Sequence, residues 1–80
     1  MTDAEIHAAL TRVFRQALDA PALTLTDEMR GADIPGWDSM TYVNVIAGIE
    51  GELGIELTTA EIDAVNTVGD LAGFIRAKTR

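Results

Sequence analysis

One short run in these eighty residues pairs a nucleophilic side chain with a neighbour able to assist it: Asp38 and Ser39 in "PGWDSM", residues 35–40. Two roles suit a serine placed there. Its hydroxyl could cap the helix that starts at this point, satisfying a free backbone N–H of the first turn, or it could carry a covalent modification. Nucleophilic catalysis would need a base within hydrogen-bond reach. The single histidine, His7, sits near the chain start and reads as a surface residue. "GWDSM" also lacks the G-x-S-x-G pattern of the hydrolase nucleophile turn. With no cysteine and one histidine there is no thiolate chemistry and no zinc ligand set, and no D-x-D-x-D-G calcium loop occurs. Gly48, Gly51 and Gly54 fall in or just after a helical stretch, so they read as close packing or local weakness rather than a phosphate loop. No catalytic residue and no metal ligand is assigned, and the chain is not expected to be an enzyme.

The elements that must position Ser39 are helices. Ile6, Leu10, Val13, Phe14 and Ala17 share one face of a first helix, and Thr2 with Glu5 forms a capping box at its start. Residues 19–38 hold two prolines and two glycines without a sustained period. They read as a long ordered loop, pinned by Leu23, Leu25, Met29, Ile34 and Trp37. From Ser39 to Leu53 the stripe Tyr42, Ile46, Ile49, Leu53 marks a second helix, with Gly54 as its stop. Met40, Val43 and Ala47 form an apolar flank beside that stripe, the pattern either of a wider buried face or of a docking surface. Thr58 and Glu61 box the start of a short third helix. The last helix turns Val68, Leu71, Ala72 and Ile75 inward and places Arg76, Lys78 and Arg80 at its negative end. The expected fold is all-α, one domain over residues 1–80: a small four-helix bundle of three main helices and one short one, with a long first loop.

Charge narrows the partners. The net charge is −7, and residues 31–70 carry eight acids and no base. Nucleic acid is excluded because phosphate binding needs a basic face, whereas a negative field suits steering toward a basic partner. No stretch is long and apolar enough for a membrane span, and "MTDAEIHAAL" lacks the basic start of an export signal. With cysteine absent, the expectation is a soluble, cytoplasmic monomer.

At this point "GWDSMTYVNVIAGIEGELGIEL" resembles the acyl carrier proteins, in which an Asp-Ser-Leu motif opens the second helix and its serine bears 4'-phosphopantetheine taken from coenzyme A. The resemblance covers nearly the whole chain. It implies attachment at Ser39, recognition by a phosphopantetheinyl transferase aided by Asp38, and a thiol that comes from the arm. It implies docking through Met40 and Val43, flanked by Ala47, and through the acidic Glu50 and Glu52. The partners would be acyl-loading and acyl-processing enzymes of ligase, ketosynthase or acyltransferase type with basic patches, bound weakly enough to release. Cargo would lie in a cleft drawn from Ile46, Ile49, Ile62, Val65, Val68 and Leu71, although each suits a simple core position.

The departures from the family pattern carry information. Met40 replaces leucine, Asn44 stands where an acid is usual, and Gly51 interrupts the acidic run. These changes favour a dedicated, polyketide-like or other specialised pathway over housekeeping fatty acid synthesis. Two alternatives remain at this level: an aminoacyl or peptidyl carrier, and an unmodified acidic adaptor that binds partners through the residue 39–53 helix.

Overall fold

The computed structural model describes residues 1–79, and the expectation for Arg80 lies outside the described residues. Four helices follow one another: α1 (Asp3–Leu18), α2 (Ser39–Leu53), α3 (Thr59–Ala64) and α4 (Val68–Lys78), with a single 3₁₀ turn at Gly31–Asp33. No strand occurs among the described residues.

Local chemistry sets the helix starts. Thr2 with Glu5, Thr58 with Glu61, and Thr67 with Asp70 close complete capping boxes, each threonine side chain accepting the N3 backbone N–H while the acid returns the bond. α1 stops at Asp19, which adopts φ 50°, and α2 stops at Gly54, with φ 66°. Both residues are in the left-handed region that ends a helix by directing an N–H back to its last carbonyls.

α1 is the central element and packs on α2 and α4. Ile6, Leu10, Val13 and Phe14 are buried as the spacing requires, joined by Ala9, while Ala17 is half-buried. The buried face of α2 is broader than the expected stripe. Val45, at 0% exposure, joins Ile46 and Ile49, whereas Tyr42 and Leu53 are only half-buried. α1 approaches α2 closely at Gly48, where a Cβ would lie 2.9 Å from Val13 Cγ1.

The long loop is fixed as firmly as the helices. Leu25 and Ile34 are buried, with Leu23, Met29 and Trp37 packed against the same core. The first two N–H groups of α4 donate to it, Val68 to the Met29 carbonyl at 2.9 Å and Gly69 to the Asp27 carbonyl at 2.9 Å. Arg15 Nε reaches the Leu23 carbonyl at 2.7 Å. Loop carbonyls therefore satisfy donors that the start of α4 would otherwise leave open.

Candidate functional site

The approach to Ser39 is built from aromatic packing. Gly36, at φ 81°, turns the chain after Pro35, and Trp37 then lies against Phe14 with ring centroids 5.4 Å apart and planes 9° apart. Tyr42, one turn into α2, is tilted against the other side of Trp37 at 5.6 Å. Gly31 makes room for the indole, since a side chain there would run into the pyrrole edge of Trp37. The start of α2 is thus clamped to α1 through three aromatic rings.

The cap of α2 is Asp38, not Ser39. Asp38 is extended, and its Oδ1 accepts the Thr41 N–H at 2.8 Å. That bond is the main cause holding the Asp38 carboxyl below its ordinary range, with the Met40 N–H adding to it. Ser39 is the first helical residue. Of the two roles open to Ser39, capping falls instead to Asp38, which the sequence also allowed as a cap or turn residue: aspartate and serine cap about equally well, and only the backbone geometry decides between adjacent ones. Ser39 is exposed, and no described residue's side chain bonds its hydroxyl. Asp38 thus occupies the Thr41 N–H and draws on that of Met40, so these donors at the start of α2 are not free for an anion.

Met40 and Val43 are 70% and 61% exposed, and Asn44 and Ala47 are exposed beside them, so the flank is surface and not a widened core. The two acids expected there are both engaged within the chain. Glu50 accepts the Leu57 N–H at 2.9 Å and so holds the turn after α2. Glu52 pairs with Arg12 of α1, whose Nε lies 2.8 Å from Oε1. His7 is exposed, distant in sequence from Ser39, as a surface residue should be.

A half-open cavity of about 230 Å³ lies between the long loop, Tyr42 and the α3–α4 junction. Val65, Val68 and Leu71 line it as expected of a cleft, but Ile46, Ile49 and Ile62 do not. The first two of these are consumed by the core against α1. The rest of the wall is Phe14, Met29, Ile34, Trp37 and Tyr42, with Arg30, Asn66 and Thr67 among the polar residues. Sequence reasoning missed this wall because it draws on three separated segments. The only cue was the apolar content of the loop. Tyr42 also ties α2 to α3, its hydroxyl donating to the Ile62 carbonyl at 2.6 Å. Burial, helped by the Asp63 charge, raises its phenol above the ordinary value.

The residues present fit a phosphopantetheine attachment point: an exposed, unbonded hydroxyl held at the end of a rigid aromatic clamp, beside an ionised carboxylate. No group of three or more potential metal ligands occurs among the described residues, and no described helix is long and apolar enough to cross a membrane.

Comparison with known proteins agrees. Residues 8–75 match the family model described as "Phosphopantetheine attachment site". The chain is 36% identical over 73 residues to the acyl carrier protein MbtL of Mycobacterium sp. (strain MCS), covering 91% of this chain and 82% of that one. It is 27% identical over 74 residues to an acyl carrier protein of Thermotoga maritima, with 92% and 91% covered. The solution structure of a holo acyl carrier protein from Geobacter metallireducens superimposes with a TM-score of 0.85 at 36% identity, over 91% of this chain and 84% of that one. The chain belongs to the acyl carrier protein family, as a carrier rather than an enzyme, with 4'-phosphopantetheine as its prosthetic group.

Proposed function

We propose that Ser39 carries the arm and that the chain delivers a thioester-bound acyl intermediate to partner enzymes of a dedicated pathway. The observation that carries the assignment is the Ser39 hydroxyl itself, exposed at the first residue of α2 and relieved of capping by Asp38. When attached, the arm supplies the thiol that the cysteine-free chain lacks. In the modification, the Ser39 oxygen forms a new P–O bond to coenzyme A's pyrophosphate, adenosine 3',5'-bisphosphate leaves, and a base on the transferase takes the hydroxyl proton. Asp38, its carboxyl held below the ordinary range by its backbone bonds, would help the transferase recognise and position Ser39, and would be the side chain to meet a magnesium ion held by that enzyme.

Docking falls to the exposed flank of α2: Met40, Val43, Asn44 and Ala47, with Glu50 and Glu52 behind them. Charge on this face is thin, because Asn44 is neutral, Gly51 carries nothing, and Glu52 is paired with Arg12. A thinned face supports partners that rely more on apolar contact than on a strong basic patch, and so a specialised acyl route served by its own ligase, ketosynthase or acyltransferase. Its setting is the cytoplasm, where coenzyme A and the transferase are available. An unmodified adaptor, in which Ser39 would serve only as a helix cap, is less well supported, since Asp38 caps α2.

The test is intact-protein mass spectrometry after incubation with coenzyme A, magnesium and a broad-specificity transferase. The native chain should gain one phosphopantetheine mass and Ser39→Ala should gain none. No gain with several transferases would overturn the assignment.

A further inference from the structure

The cavity beside Trp37 has a floor and a rim of different chemistry. Phe14, Ile34, Val68 and Leu71 are buried and apolar, whereas Arg30, Asn66 and Thr67 are polar. The rim is rich in protons. Arg30 can only donate, and among the described residues no carboxylate lies in ion-pair contact with it. The Thr67 oxygen accepts the Asp70 N–H at 3.1 Å, which leaves its own proton for another acceptor. The neighbouring acids are already committed: Asp33 Oδ2 accepts the Arg30 backbone N–H at 3.0 Å, and Asp70 Oδ2 accepts the Asn66 and Thr67 N–H groups at 3.0 and 3.2 Å. Arg30, Asn66 and Thr67 line the same opening, and the Arg30 charge reaches Asp70. Size sets a further limit. A cavity of 150 Å³ accepts benzene, so one of about 230 Å³ takes roughly nine non-hydrogen atoms.

We infer that this cavity receives the end of the acyl cargo and that Arg30, with Thr67, selects a short acyl group bearing a carboxylate at its far end over a plain alkyl chain of equal length. This inference rests on attachment at Ser39. Trp37 and Tyr42, two residues before and three after Ser39, form the wall nearest the attachment point. An alkyl end on the apolar floor leaves the rim donors without a partner, while a carboxylate meets the guanidinium in a charge-assisted pair.

The experiment loads the chain from hexanoyl- and adipoyl-coenzyme A with a broad-specificity transferase, checks Ser39 occupancy by intact mass, and measures thioester cleavage by hydroxylamine relative to each free coenzyme A thioester. The adipoyl form should be cleaved about fivefold more slowly than the hexanoyl form, a modest factor because the rim is open to water. Its Trp37 indole N–H resonance should shift further. Arg30→Gln should load normally, melt at the native temperature, and abolish the difference. Equal normalised cleavage of the two forms, or a difference that survives Arg30→Gln, would overturn the inference and leave the carrier assignment standing. Failure to load either thioester would overturn both.

Discussion

At the scale of the residue, the division of labour between Asp38 and Ser39 separates stability from function. Asp38 bonds the Thr41 N–H, and no described residue bonds the Ser39 hydroxyl. Ser39→Ala should therefore leave the melting temperature within about 2 °C of native while abolishing modification, since alanine is at least as good a helix former as serine. Asp38→Ala removes the cap and should lower the melting temperature by about 4–8 °C in a domain of this size. Thermal melts by circular dichroism on the two variants decide the matter. A larger loss from Ser39→Ala than from Asp38→Ala would return the cap to Ser39. The adjacency of two good capping residues is why this detail was not legible in the sequence, although the start of α2 was.

At the scale of the element, two glycines of α2 should respond to alanine with opposite sign. A methyl at Gly48 meets Val13 at 2.9 Å, and Val13 is buried and stiff at χ1, so the overpacking outweighs the gain in helix propensity. Gly51 has no atom within 4 Å of a built Cβ, so alanine there only restricts the unfolded chain and favours the helix. Gly48→Ala should destabilise by about 1–2 kcal/mol and Gly51→Ala should stabilise by about 0.5–1 kcal/mol in chemical denaturation. A stabilising Gly48→Ala would mean that the α1–α2 crossing has slack. The helix starts predict a second behaviour. Glu5, Asp38, Glu61 and Asp70 are all held below their ordinary range, in each case first by a backbone N–H at a cap. Their stabilisation is present above the unfolded-state values and is lost as the pH falls through the lower folded ones. The melting temperature should therefore decline as the pH drops below about 4, and a flat profile from pH 5 to 2.5 would contradict the role of the caps. The starts of α1 and α3 were readable because a capping box spans four residues, whereas the Thr67–Asp70 box of α4 was missed. Val45, the loop's bonds to α4 and the cavity wall were not readable, because each depends on which distant segment happens to lie opposite.

At the scale of the whole molecule, three of the six bases join helices through ion pairs. Arg12 pairs with Glu52 from α1 to α2, Arg76 with Asp3 at 2.7 Å from α4 to α1, and Lys78 with Glu61 at 2.9 Å from α4 to α3. Pairs at or near the surface add little stability singly; two of the three draw on Glu52 and Glu61, so six of the eight acids in residues 31–70 stay out of ion pairs among the described residues, with no base in that segment. Salt should then act in opposite directions on encounter and on stability. Screening shortens the reach of the negative field toward a basic transferase, while it also relaxes the chain's self-repulsion. Between about 20 and 500 mM sodium chloride, kcat/KM for modification should fall about tenfold through KM, with kcat nearly constant, and the melting temperature should hold or rise. Initial rates and melts over one salt series measure both. A kcat/KM indifferent to salt would place recognition in the exposed Met40 and Val43 contacts alone, because apolar burial, unlike steering between opposite charges, is not weakened by screening.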